Sequence, residues 1–340
     1  MKPRQRVKKR KIDQRSAGAP RLNLSQLATI ASLGEIAPPQ QGKSPYRIDR
    51  NGMPRLLPGP GGIVLSHRVG DPCVGLAADH LEPGVSIQSR QKSLKGTDGP
   101  NLALNSYACI GNRAVVVSGP CAGQQGVVTG KHGGVNHVLL DFPKKVLLKL
   151  RIGDRVQVYT YGLGLRMLDH PNLTVVNAAP KLLQRWGLRS APPKLFVPVT
   201  HRIPAGLMAS GLGRDNTVRG DYDIQLSDPE SLRRFGLGRL RFGDLVAIRQ
   251  ADNRFGRSRH GAFTSVGVVV HGDSVKAGHG PGVVTLISGE SRYLELLHDS
   301  QANLARVLGI RSLPKAQNRR PFAQRHGGAF QLANGAGVAI

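Results

Sequence analysis

Short aliphatic runs separated by glycine, proline and aspartate punctuate the middle of the chain. Residues 114–117, 126–129, 138–142 and 156–159 are each β-branched or aliphatic and of strand length. Strands at that spacing predict a barrel or a sandwich. The phrase Arg151-Ile152-Gly153-Asp154-Arg155-Val156-Gln157-Val158 returns as Arg241-Phe242-Gly243-Asp244-Leu245-Val246-Ala247-Ile248. In both, a Gly-Asp turn leads into an alternating strand. Glycine admits the turn's φ, and aspartate can bond the following backbone amides. The repeat points to two related β lobes. Helical patterns are few: 181–186, 230–235 and 293–308, the last with Leu294, Leu297, Leu304, Val307 and Leu308. Leu22, Leu24, Leu27, Ile30 and Leu33 likewise suggest a presequence-like amphipathic helix over 22–33.

The same patterns divide the chain into four parts. A basic, largely disordered extension runs over 1–44 and ends in Pro38-Pro39-Gln40-Gln41-Gly42. An N-terminal β-barrel lobe follows over 45–175, then a C-terminal β-barrel lobe with a helix over 176–312. A basic Gly/Ala-rich tail closes the chain over 313–340. The 340 residues suffice for one large domain or two of middle size. The 43 glycines and the 4% aromatic content agree with short strands and tight turns.

Charge changes the picture at the ends. The chain carries 48 Lys+Arg against 21 Asp+Glu, a formal +27. Residues 1–50 hold 12 basic and 3 acidic residues, and residues 301–340 hold 6 basic and no acidic ones. More than half of the excess therefore sits in the two ends, which suits a polyanionic partner. Those ends contain almost no aromatics for base stacking, so they predict non-specific nucleic-acid contact only. No apolar h-region follows the basic start, and no apolar run is long enough to span a membrane. Cys73, Cys109 and Cys121 form no Cys-x-x-Cys pair and read as reduced thiols. A cytoplasmic protein with no membrane partner is expected.

Several common sites are missing. Gly126 to Gly130-Lys131 has the wrong spacing for a Walker loop, with His132 where Ser or Thr is needed. No Gly-x-Gly-x-x-Gly opens a helix after a strand, and no Gly-x-Ser-x-Gly elbow occurs. What remains is a set of polar residues in glycine-rich turns. His80 and Glu82 lie in Asp79-His80-Leu81-Glu82-Pro83-Gly84, and Lys131 and His132 precede Gly133-Gly134 with His137 nearby. His201 follows Thr200. Later come Gly211 with Gly213, Asp221 with Asp223, His271 with Asp273, and His279 among Gly278, Gly280 and Gly282.

Residues two apart on a strand share a face, so Asp221 with Asp223, or His271 with Asp273, would converge on one ion or proton. Histidine with carboxylate suits zinc or another first-row divalent metal. The candidate metal ligands are His80, Glu82, His201, Asp221, Asp223 and His271. The candidate catalytic groups are His201, His271, Asp273, His279, Lys131 and His132. The turn amides at Gly211, Gly213, Gly278, Gly280 and Gly282 would hold an anionic group. Each also has a plainer role: aspartate in a turn caps amides, and histidine beside glycine often only bonds the backbone.

Six phrases together are more specific. They are Pro100-Asn101-Leu102-Ala103-Leu104-Asn105-Ser106-Tyr107, Gly130-Lys131-His132-Gly133-Gly134, Val197-Pro198-Val199-Thr200-His201, Gly220-Asp221-Tyr222-Asp223-Ile224-Gln225, Phe242-Gly243-Asp244, and His271-Gly272-Asp273-Ser274 with Gly278-His279-Gly280-Pro281-Gly282. They resemble an uncharacterised bacterial and archaeal family known only as a domain of unknown function. The resemblance covers roughly residues 45–300. It implies two RIFT-related (cradle-loop) β-barrel lobes with a few short helices and a C-terminal helix, and it brings no established activity.

Three functions follow as expectations. The first is an enzyme binding a small polar or anionic substrate between the lobes, with metal-assisted hydrolysis as its chemistry. The second is a nucleic-acid- or ribosome-associated module using its basic ends. The third is a structural or assembly protein whose polar loops only cap turns.

Overall fold

The structure is a computed structural model, and it describes residues 17–42, 44–315 and 317–322. The first half holds β1 (Thr29–Ile36), β2 (Arg47–Ile48), β3 (Pro54–Arg55), β4 (Val85–Gln88), β5 (Arg113–Val116), β6 (Gln125–His132), β7 (His137–Asp141) and β8 (Arg155–Tyr161). Six of these close an antiparallel barrel in the order β1-β4-β7-β6-β5-β8, with β8 pairing back onto β1. Alternation makes the barrel: β8 buries Val156, Val158 and Thr160 and leaves the residues between them less covered. Helix α1 (Gly99–Tyr107) sends Leu104 into the barrel core beside Ile36, Ile87 and Val158.

The second half holds β9 (Leu173–Val175), β10 (Arg189–Ala191), β11 (Lys194–Val199), β12 (His201–Pro204), β13 (Tyr222–Asp223), β14 (Leu245–Asp252), β15 (Ser258–Val269), β16 (Gly282–Glu290) and β17 (Leu294–His298). Here the sheet runs β12-β14-β15-β16-β13, with β9 also on β16, and a separate sheet runs β10-β11-β17. The mainly β expectation holds with one closed six-stranded barrel. The strands of the second lobe form open sheets among the described residues.

The repeated Gly-Asp phrase is a real local unit. Gly153 and Gly243 have φ of +88° and +81°. Asp154 accepts from the Arg151 amide at 2.9 Å, and Asp244 from the Arg241 amide at 3.0 Å. The aspartate thus caps the amide three residues before it, where the sequence suggested those that follow. A third copy, Arg68-Val69-Gly70-Asp71, does the same, with Asp71 accepting from the Arg68 amide at 2.8 Å. It lies in a loop with no strand behind it, so strand alternation did not flag it.

Two helix expectations are corrected. Residues 29–36 form β1, which completes the barrel, so part of the supposed extension is structural. The leucines at 22–33 share no helical face: Leu24 lies in a short 3-10 turn over Leu24–Gln26, and Ile30 and Leu33 lie on β1, where Ile30 is exposed. Over 293–308, Leu294–His298 is a strand paired in parallel with β11, and helix remains only at Leu304–Val307. The basic block at 1–16 and the tail from 323 lie outside the described residues.

The two halves interlock. Segment 71–82 leaves the barrel side and lies on the second lobe, where Cys73, Val74, Leu76 and Leu81 pack with Ile224, Phe242, Val246 and Val269. Its backbone is tied there: the Asp273 amide donates to the Cys73 carbonyl and the Gly272 amide to the Leu81 carbonyl, each at 2.9 Å. Buried Lys131 on β6 makes a second tie, its ammonium donating to Asn177 Oδ1 and the Val218 carbonyl, both at 2.8 Å. These ties fix which side chains meet at the junction.

Candidate metal centre between the lobes

Four histidines from four separate segments converge at that junction. His80 comes from the crossing segment, His132 from the end of β6, His271 from just beyond β15, and His279 from the loop before β16. Ring centroids lie 4.3 Å apart for His132 and His271, 5.1 Å for His80 and His271, and 5.0 Å for His80 and His279. Asp223 enters from β13 and Asp221 from the position just before it. His80 itself sits at φ +56°, a turn that aims its ring inward.

The rings are oriented from behind. His132 Nδ1 bonds Glu82 Oε1 at 2.6 Å, His80 Nδ1 bonds Asp79 Oδ1 at 3.1 Å, and His271 Nδ1 bonds the Gly272 carbonyl at 2.9 Å. A carboxylate or carbonyl only accepts, so each Nδ1 carries the proton. Each Nε2 is then left as the atom that faces the cluster. Glu82 also receives His137 Nδ1 at 2.9 Å and the Gly61 amide at 2.7 Å.

Inside the cluster the atoms are crowded and under-bonded. His271 Nε2 stands 2.6 Å from Asp221 Oδ2 and 3.6 Å from Asp223 Oδ1, yet without hydrogen-bond alignment to either. His279 Nδ1 lies 3.0 Å from Asp223 Oδ2 and 3.1 Å from His80 Nε2. Two sets of possible ligands result: His80, Asp223 and His279, and His132, Asp221 and His271. Within each set the donor atoms lie within 4.8 Å of one another. Buried polar atoms normally find partners, so the orphaned pair suits a shared ion.

The charges follow from the packing. Burial pushes the Glu82 carboxyl up, but His132 and His137 overcome it and hold it well below its ordinary range. Burial likewise raises Asp223, which His271, His279 and His80 bring well below. Burial lowers His271, and Asp221 with Asp223 overcomes this and lifts it well above the usual imidazole range. In the ion-free site His271 therefore holds a second proton at neutral pH and pairs with Asp221, and a metal ion that takes its Nε2 must displace that proton.

A cavity of about 580 Å³ opens above this cluster, and its rim is basic. Arg214, Arg219 and Lys276 line it without a carboxylate partner among the described residues. Buried Arg257 lines it too and donates to the Gly220 carbonyl at 2.7 Å. These arginines carried no sequence signal, because basic residues are common throughout this chain.

The remaining sequence candidates fall in different places. Glu82 stands behind His132 and His137. Asp273 does not share a site with His271: it accepts from the Ser274 amide and lies 3.8 Å from Arg50. Lys131 is buried as an inter-lobe tie and does not line the cavity. His201 lies elsewhere, bonding Thr200 Oγ1 at 2.9 Å and the Gly236 carbonyl at 3.2 Å. Gly211 lines the cavity, whereas Gly213, Gly278 and Gly280 do not. Gly282 is needed for space: a Cβ there would sit 1.9 Å from Asp221 Oδ2 and 2.3 Å from His271 Nε2. Asp79 and His137 lie outside the candidate set and act as supports, Asp79 behind His80 and His137 on Glu82.

Fold and site together define a two-lobed, mainly β protein with a histidine–aspartate centre at the lobe junction. Residues 46–184 match the family described as "Domain of unknown function (DUF4438), N-terminal", and residues 185–308 match its C-terminal counterpart. The chain belongs to this family. The family boundary falls beyond β9, a strand that pairs with β16 of the second lobe. A solved structure described as "Crystal structure of TM1086" is 42% identical, with a TM-score of 0.79 over 85% of this chain and 99% of that one. No curated protein matches the chain. No helix among the described residues is long and apolar enough to cross a membrane.

Proposed function

We propose that the inter-lobe cavity is the centre of a divalent-metal-dependent hydrolase acting on a small anionic substrate. The observation that carries this reading is the common orientation of His80, His132 and His271. All three have Nδ1 held by an acceptor behind the ring and Nε2 turned inward, the arrangement that metal-ligating histidines adopt. A first-row ion such as zinc fits a donor set of imidazoles and carboxylates. Bound there, it supplies a Lewis acid and offsets the charge of Asp221 and Asp223. That matters for the substrate, because those carboxylates alone would repel the anion that Arg214, Arg219 and Lys276 attract. His279 is the least buried of the four rings and stands where a proton can be exchanged with the cavity.

Metal analysis of the purified full chain tests the reading. Zinc, manganese or cobalt should bind, and Asp221→Asn with His271→Ala should abolish binding while the fold persists. Failure of the wild-type chain to take up any of these ions would overturn it.

We further infer that the closed barrel is of the RIFT-related type. Its six short strands, glycine-rich turns and apposed second lobe support this. Three buried free cysteines, Cys73, Cys109 and Cys121, support a reducing cytoplasmic setting. The concentration of positive charge at the chain ends supports a second reading, non-specific nucleic-acid contact. That binding should weaken steeply with salt and vanish when the basic block at 1–16 is removed.

A further inference from the structure

His201 leads to a second cavity that shares no lining residue with the first. It measures about 770 Å³, within the range of small-molecule sites. Its walls bring together Arg202, Arg233, Arg234, Arg239, Arg241 and Lys315. No aspartate or glutamate lines it. Arg241 is the fixed member, buried, with its guanidinium on Asp244 at 3.3 Å and on the Ser300 carbonyl at 2.5 Å. Among the described residues none of the other five cations has a carboxylate within 4.0 Å; Arg233 feels Asp228 from farther off, and Arg202 donates to the Leu296 carbonyl.

A surplus of basic residues is common on this chain, but here the surplus surrounds one concavity. Two like charges about 4 Å apart repel by roughly 1 kcal/mol even in water, and more beside low-dielectric walls. Folding alone gives no return for that arrangement; a multiply charged anion does. Arginine also forks onto phosphate oxygens in pairs, which a lysine-rich solvating surface would not need. His201 reads the local field independently. Burial and then the nearby Arg239 and Arg241 hold its pKa at about 4, so the ring is neutral in the empty cavity.

We propose that this cavity binds an anion of linked phosphate groups, such as the triphosphate portion of a nucleotide or a short polyphosphate. The guanidiniums of Arg202, Arg233 and Arg239 would share the phosphate oxygens, and Arg241 with His201 would form the inner wall. The site stands apart from the metal centre and does not depend on the hydrolase reading.

Titration of the full chain with inorganic tripolyphosphate tests this, read by calorimetry and by the NMR resonances of the His201 ring. Tripolyphosphate should bind with an affinity that falls as salt rises. Binding should move the His201 pKa upward and should weaken at least tenfold in Arg233→Gln with Arg239→Gln, both exposed positions whose change spares the core. Unaltered affinity in the double variant would place the anion on the basic ends or on the basic rim of the first cavity and overturn the proposal. So would an unmoved His201 pKa, or binding seen only with long RNA.

Discussion

Glu82 and His132 meet at 2.6 Å with the carboxylate fully buried, and the same carboxylate holds His137. One side chain thus sets the tautomer of a candidate ligand and anchors the hairpin that carries it. Glu82→Gln keeps the shape but loses both charge-assisted bonds. Metal affinity should fall about 10- to 100-fold in this variant, the usual effect of losing such a supporting carboxylate. Calorimetric titration with zinc measures it, and equal affinity in a folded Glu82→Gln chain would remove Glu82 from the site.

Gly282→Ala should damage the centre more than the fold. The added carbon lands on the ends of Asp221 and His271, which must turn away to admit it. Expected is loss of metal binding with a cooperative melt retained. Undiminished metal uptake by this variant would contradict the placement of those two side chains.

The repeated turns give a paired comparison. Gly153 and Gly243 share a positive φ, so alanine at either pays a backbone penalty of about 1 kcal/mol or more. A Cβ on Gly153 meets nothing within 4 Å, whereas one on Gly243 lies 2.5 Å from Val69 Cγ1. Gly243→Ala should therefore cost more than Gly153→Ala, by roughly 1–3 kcal/mol of overpacking. Chemical denaturation of the two variants decides it; equal losses would mean that backbone strain alone matters.

Asp244 should make stability fall as pH rises through the weakly acid range. Burial pushes its carboxyl from 3.8 up to about 6, against the pull of Arg241 and Asn303. The folded state then holds a proton that the unfolded state releases. This contribution is complete below about pH 4 and is lost as pH climbs through 6. Asp244→Asn cannot titrate. Its stability relative to wild type should therefore improve between pH 4 and 7, by about 1.4 kcal/mol for each unit of displacement. A difference independent of pH would exclude this titration.

Local chemistry explains what the sequence made legible. The strands over 114–117, 126–129, 138–142 and 156–159 all appear: β5 and β8 alternate against the barrel core, while β7 is buried along its whole length, with Leu139 in the second core. Strand periodicity puts Asp221 and Asp223 at the same junction, although each belongs to a different set of possible ligands. The leucine spacing of 293–308 suggests a helix where β17 forms, because the partner strand β11 lies far away in sequence and parallel pairing leaves no local trace. Likewise His201 and Asp273 carry the same residue types as the cluster. Only the crossing of segment 71–82 decides that His80 joins His271 while His201 does not.

That crossing also governs how the chain can be divided. A cut at the junction of the two family segments would leave His80, Glu82 and His132 on one fragment and Asp221, Asp223, His271 and His279 on the other. The first fragment would expose the apolar residues 73–81, and the second would lack part of its own interior. Neither piece holds a complete ligand set, so the metal centre exists only where both family segments are docked against each other.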